Sequence, residues 1–420
     1  MKMKHFTLAV ILISVSCCQN LVENGTQFHH ELFTIDTHCD TPLHMADTTF
    51  DIGVRHIPGG EGSGKIDLPR MRDGGLDAEF FAAFVGQRAR TAENYTWAQN
   101  RVDHLISLVK DMCKRYPEMI AFADKPEDAY ENNDAGLLSA YIGIENGFAL
   151  GMDIENVKRY YDMGVRYITL CHTSNNDICD SSTDKKGPEH DGLSDYGRQV
   201  VREMNRLGMI VDVSHISDKA FFDVIGETTA PVIASHSSVR AVCDNPRNLT
   251  DDMITALAEN GGVIQICIFT DYVKTPAPNT ERDSAFAALW NKYDNWEKSE
   301  DPEIRKKLRR EYHEIDAMYP KEKATVADLV DHIDHVVELV GIDHVGIGTD
   351  FDGGGGIDGC DEVSEMPNIT IELLRRGYSK EDIEKIWGAN FMRVFREVER
   401  IANSTLATET QRTQRKNQTG

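Results

Sequence analysis

The chain has 420 residues, 40% of them hydrophobic and 27% charged, with a formal net charge of −24. That length allows one large domain or two ordinary ones, and the apolar share suffices for a globular core. The acidic balance excludes a nucleic-acid binder built on a basic face.

The chain opens with Lys2 and Lys4, then an apolar run over residues 6–15 that is too short to span a bilayer. Ser14-Val15-Ser16-Cys17-Cys18 follows, with small residues leading to a cysteine. This pattern predicts a lipoprotein-type signal over residues 1–17, with Cys17 or Cys18 lipidated and the protein held in the bacterial cell envelope. Plain secretion is the alternative. Residues 18–30 read as a linker, 31–402 as the folded domain, and 403–420 as a polar tail without an apolar face, expected to be disordered.

Short apolar runs alternate with helical patterns through the domain. The strand-like runs cover residues 32–35, 78–85, 139–145, 165–171, 209–213, 232–235, 262–268 and 343–348. Most are continuously apolar, as expected of parallel strands buried on both faces. Helical spacing appears over 91–116, 152–163, 196–207, 219–225, 251–259 and 325–340, often closed by a glycine such as Gly208. Eight such repeats predict a TIM (β/α)8 barrel. A doubly wound open sheet is the alternative, weakened because no glycine-rich phosphate loop follows the first strand. A charged helical insertion over 271–323 follows strand seven, over the catalytic face, and an amphipathic helix over 382–401 closes the domain.

In a barrel, the C-terminal strand ends share one mouth. They carry His38 and Asp40 on strand one, Glu145 on strand three, His172 on four, His215 on five, His236 on six and Asp350 on eight. A divalent ion takes three or four N and O ligands. His38, Asp40, His215, His236 and Glu145 divide into two such sets if one carboxylate is shared, and a bridging carboxylate holds two ions roughly 3.5–4 Å apart. Water between them loses its proton near neutral pH and can attack a carbonyl. Glu145 as the bridge stands against a plain helix-capping role. Asp350, among glycines, suits a proton shuttle or an ammonium partner. His172 could hydrogen-bond a carbonyl oxygen as charge develops there. Arg247 reads equally as a carboxylate clamp or a surface arginine. The seven cysteines beyond the signal are odd in number and form no CxxC pair, which argues against a disulfide framework.

Several stretches, in this order, resemble the membrane dipeptidase family (peptidase family M19). They are Ile35-Asp36-Thr37-His38-Cys39-Asp40, Ile66-Asp67-Leu68-Pro69-Arg70, Gly143-Ile144-Glu145-Asn146-Gly147, Leu170-Cys171-His172-Thr173, Val211-Asp212-Val213-Ser214-His215, Ser235-His236-Ser237-Ser238, Pro246-Arg247-Asn248 and Gly348-Thr349-Asp350-Phe351-Asp352-Gly353. The resemblance runs from about residue 33 to 399. It implies a barrel of the metal-dependent amidohydrolase type and a homodimer that cleaves dipeptides, often with a D-residue second. It further implies two zinc ions, one on His38 and Asp40, one on His215 and His236, bridged by Glu145. His172 would stabilise the tetrahedral intermediate, Arg247 hold the C-terminal carboxylate, and Asp350 meet the amino group and handle the proton. A related binuclear amidohydrolase acting on another amide, lactam or ester is the alternative. Asn146-Gly147-Phe148-Ala149 departs from the family's usual text after the bridging Glu, which puts the surroundings of the ligands and the side-chain preference in question.

Overall fold

Apolar runs buried on both faces find partners only in a parallel sheet covered by helices, and the strands obey this. They are β1 (Ile35–Cys39), β2 (Ala78–Phe84), β3 (Ile120–Phe122), β4 (Leu138–Glu145), β5 (Val165–Thr169), β6 (Ile210–Asp212), β7 (Ile233–Ser237), β8 (Val263–Cys267) and β9 (Val345–Gly348). The computed structural model describes residues 21–58, 60, 62–293 and 302–419, so the expected signal segment lies outside the described residues. Every strand pair is parallel, in the order β1-β2-β4-β5-β6-β7-β8-β9, with β3 added alongside β4. The ring closes just beyond β9, where Asp350 N donates to His38 O at 3.0 Å and Asp40 N donates to Phe351 O at 2.8 Å. The result is a nearly closed (β/α)8 barrel.

Two differences from the sequence reading have local causes. The first strand begins where the predicted run ends, so His38 lies inside it. Thr34 N and Oγ1 are taken by Asp77 Oδ2 and Gly75 O, while polar Asp36 and Thr37 find tertiary partners that let the strand continue. β3 was missed because it is only Ile-Ala-Phe, with Ile120 alone fully buried.

The helices fall where the apolar spacing predicts. Ala92–Arg115 is capped by Thr91, whose hydroxyl accepts from Asn94 N. Asp195–Leu207 is capped by Ser194 and ends at Gly208, whose φ of 83° closes the helix in the left-handed conformation. Val326–Val340 opens on a Thr325/Asp328 capping box. The insertion emerges at the C-terminal end of β8 as helices Thr270–Val273, Thr280–Lys292 and Pro302–Met318, with the last two in contact through Phe286 and Tyr312 at 5.0 Å between ring centroids.

The first residues of the strands, including Ile35, Ala78, Phe80, Ile210 and Val263, form one apolar cluster with Phe391, Met392 and Phe395 of the last helix. That helix therefore plugs the N-terminal end of the barrel, opposite the mouth that carries the candidate ligands. It runs from Asn390 to Thr419, through most of the segment expected as a polar tail. Once a packed segment has met the cost of nucleation, each further residue adds a hydrogen bond cheaply, and a polar stretch can extend it. The seven cysteines Cys39, Cys113, Cys171, Cys179, Cys243, Cys267 and Cys360 are all buried and free. Among the described residues no helix is long and apolar enough to cross a membrane.

Candidate metal centre

All eight residues singled out from the sequence converge on the mouth. His38 and His236 lie within β1 and β7, Glu145 ends β4, and Asp40, His172, His215, Arg247 and Asp350 follow their strands directly or within a short loop. The backbone is bent to aim them. The pairing register slips between Asp36 and Cys39 in β1, and between Ala234 and Ser237 in β7. His215 and Asp350 sit at φ of 71° and 56°, a left-handed conformation that non-glycine residues seldom hold. Such backbone persists only where the surroundings over-determine it, and it clusters at working sites.

Glu145 is the hub. Its Oε1 lies 3.0 Å from His215 Nε2, 3.4 Å from His236 Nε2 and 3.7 Å from His172 Nε2. Its Oε2 lies 3.6 Å from His38 Nε2. One oxygen thus faces each of the two ligand sets, the disposition a bridging carboxylate needs. The Nε2 atoms of His215 and His236 approach to 2.8 Å. His38, Asp40 and Asp350 bring one ligand atom each within 4.8 Å of one another. His172 and Asp350 therefore also stand within ligating range.

Several buried polar atoms here have no protein partner, among them His38 Nε2, Asp40 Oδ1 and His215 Nδ1. Leaving such atoms unpaired in a protein interior is costly. The protonation pattern points the same way. Burial, Glu145 and Asp350 drive the Asp40 carboxyl well above its usual range. Burial, chiefly, pushes Asp350 up to about 7, with Glu145 adding to it. Burial alone would lower His38, yet Glu145, Asp40 and Asp350 lift it to about 10, so a proton takes the place of a cation. Burial holds His215 and His236 well below the usual histidine value, leaving both neutral. For Glu145, burial is outweighed by His172 and His38, which hold it ionised. Three carboxylates and four imidazoles crowded in one pocket fit a divalent metal.

Arg247 sits beside this cluster, buried. Its Nη2 donates to His236 O at 3.1 Å and its guanidinium lies over the Tyr272 ring at 5.1 Å, while Nε and Nη1 have no partner. The surface-arginine alternative is therefore wrong.

The family profile described as membrane dipeptidase (peptidase family M19) matches residues 22–409. The chain belongs to the membrane dipeptidase family. A member of this metallopeptidase family, it is a metallo-dipeptidase. It is 34% identical to dipeptidase tcpJ of Claviceps purpurea over 86% of this chain and 76% of that one. Dipeptidase 3 of Mus musculus is 29% identical over 89% of this chain and 66% of that one. The crystal structure of the probable dipeptidase PvdM from Pseudomonas aeruginosa superposes with a TM-score of 0.79 at 30% identity, covering 91% of this chain and 99% of that one.

Residues that sequence reasoning passed over hold this dipeptidase's centre in place. Asp36 accepts from His38 N, Thr349 N and Thr349 Oγ1 at 3.2, 2.8 and 2.5 Å. Asp212 plays the same part between β6 and β7. Tyr167 OH lies 2.8 Å from His38 Nδ1, and its ring occupies the space where a Cβ on Gly143 would stand. Both aspartates lie in stretches quoted above, two and three residues before a candidate ligand histidine, and that spacing was the available signal. Asp352 turns away from the centre, accepting from Thr41 Oγ1 and Lys65 N at 2.7 Å each. Where the text after Glu145 departs from the family, Asn146 at φ of 77° donates to Val85 O and accepts from Phe148 N and Asn176 Nδ2. It ties together the loops that follow β2, β4 and β5.

Proposed function

We propose that this dipeptidase hydrolyses free dipeptides, L,L and L,D, at two zinc ions held by His38, Asp40, His215 and His236 with Glu145 shared between them. When bound, the ions supply Lewis acidity and a water acidic enough to act as the nucleophile near neutral pH. The observation that carries the substrate reading is Arg247, a buried guanidinium with two unused donors beside the centre. Unpaired N–H groups on a buried cation are unfavourable, and the fork of Nη1 with the second N–H of Nη2 matches a carboxylate bidentately. The bond to His236 O and the Tyr272 ring keep the fork from swinging away.

Asp350 receives the substrate's amino group. Its carboxylate can take a proton from the attacking water and return it to the leaving amine. His172 donates to the carbonyl oxygen as negative charge develops there. Recognition of a free carboxylate and a free amine across one peptide bond limits the substrate to two residues.

The test compares each dipeptide with its C-terminal amide. Arg247→Ala should lower kcat/KM for dipeptides about 10²- to 10³-fold and leave the amides nearly unchanged. Equal losses on both would remove the carboxylate clamp. Intact dipeptides with two zinc ions bound, together with turnover of a lactam or ester, would favour the alternative amidohydrolase. The proposal extends to export with lipid on Cys17 or Cys18, on the strength of the N-terminal pattern, and to a homodimer. The mass of the mature N-terminal peptide and the sedimentation coefficient test these two points.

A further inference from the structure

The two ligand sets are unequal in charge. The His38 side has Asp40 as a direct anionic ligand and one oxygen of Glu145. The His215/His236 side has two neutral imidazoles and only the other oxygen of Glu145. What lies behind His236 makes up the difference. Asp212 ends β6, fully buried, and its carboxylate accepts four hydrogen bonds. Oδ1 takes Ser214 N at 3.0 Å and Ser235 N at 2.9 Å. Oδ2 takes Ser235 Oγ at 2.6 Å and Thr169 Oγ1 at 2.5 Å.

These bonds have a determined direction. A carboxylate only accepts, so the single hydroxyl proton of Ser235 is committed to Asp212. Ser235 Oγ is then left as an acceptor for His236 Nδ1, 2.8 Å away. The proton of His236 therefore sits on Nδ1, and the lone pair of Nε2 faces Glu145 Oε1. His236 N also donates to Ser214 Oγ at 3.1 Å, fixing the backbone from which the ring hangs. Neither of the other two zinc-side histidines has such support. His38 is backed by the neutral Tyr167 hydroxyl, and His215 Nδ1 has no partner.

We propose that Asp212, acting through Ser235, is a positioning residue that gives the His215/His236 ion the anionic support Asp40 gives the other ion directly. The relay fixes the tautomer and direction of His236, and it raises the basicity of Nε2 by drawing on a charge two hydrogen bonds away. The inference rests on the binuclear reading above.

The test uses the full-length, zinc-loaded protein and a chelator titration that counts zinc per chain. Ser235→Ala and Asp212→Asn should each weaken one ion about 10- to 100-fold and leave the other within about twofold of wild type. At a chelator concentration where wild type keeps two ions, these variants keep one. Ser235→Thr, which retains the hydroxyl, should restore the second ion. Thr169→Val removes a donor from the same carboxylate without touching His236, and both ions should stay. The cobalt(II) spectrum should change for Ser235→Ala and not for Thr169→Val. Loss of both ions together, loss of neither, or equal behaviour of Thr169→Val and Ser235→Ala would overturn the relay. A failure of wild type to hold two ions would overturn the binuclear reading itself.

Discussion

The β9–β1 and β6–β7 edges of the barrel mouth are held by the same device used to different ends. In each, an aspartate accepts from a backbone amide two residues on, and from both the amide and the hydroxyl of a Thr or Ser on the neighbouring strand. Asp36 takes His38 N and Thr349; Asp212 takes Ser214 N and Ser235. At β9–β1 the hydroxyl belongs to Thr349, which does not touch a ligand ring, so the staple only closes the barrel. At β6–β7 the hydroxyl belongs to Ser235, directly before His236, so the staple reaches the ligand. One motif is architectural on one side and extends to the metal on the other because of where a single hydroxyl falls.

The largest expected effect comes from the group both edges share. Glu145→Gln should remove both ions and lower kcat/KM by about four orders of magnitude, with zinc analysis alongside the rates. Retention of one ion would break the picture of a common bridge.

Next is the pH dependence of loading. Metal-free His38, lifted to about 10, carries a proton that it must lose to become a ligand. Affinity for the β1-side ion should therefore rise about tenfold per pH unit between 6 and 9. His215 and His236 are already neutral there, so affinity for their ion should stay flat. Calorimetry in buffers of different ionisation enthalpy would count the released protons, and parallel slopes for both ions would contradict the asymmetry.

Asp36→Asn should cost about 2–3 kcal/mol of stability and leave both ions in place, read by melting temperature and zinc count. Combined with Ser235→Ala it should lose only the His215/His236 ion under mild chelation, because only the β6–β7 staple reaches a ligand ring. Tyr167→Phe is the smallest perturbation. A neutral partner makes a weaker bond than a charged relay, so affinity for the β1-side ion should fall about threefold at most.

The alternation of apolar runs and helical faces was legible because parallel strands buried on both sides must be apolar, so eight barrel strands could be found from the chain alone. β3 was not, since three residues on the outside of β4 carry too little pattern. The residues that converge on the mouth were legible because imidazoles and carboxylates at strand ends are rare chemistry in a shared position. The aspartates behind them, Asp36 and Asp212, were printed in the same motifs but passed over, because a buried acceptor shows its purpose only when its donors arrive from other strands.

The amino-acid order by itself determined the barrel, the ring of histidine- and carboxylate-bearing strand ends around its mouth, and the family to which the chain belongs. Periodicity and residue chemistry are local properties, and they survive being read one residue at a time. Tertiary structure alone decided that Arg247 is buried with two unpaired donors, that each oxygen of Glu145 faces its own ligand set, and that Ser235 hands the charge of Asp212 to His236. Those facts depend on distances between residues from Thr169 to His236 and from Asp36 to Thr349, which only the closed barrel brings within hydrogen-bonding reach.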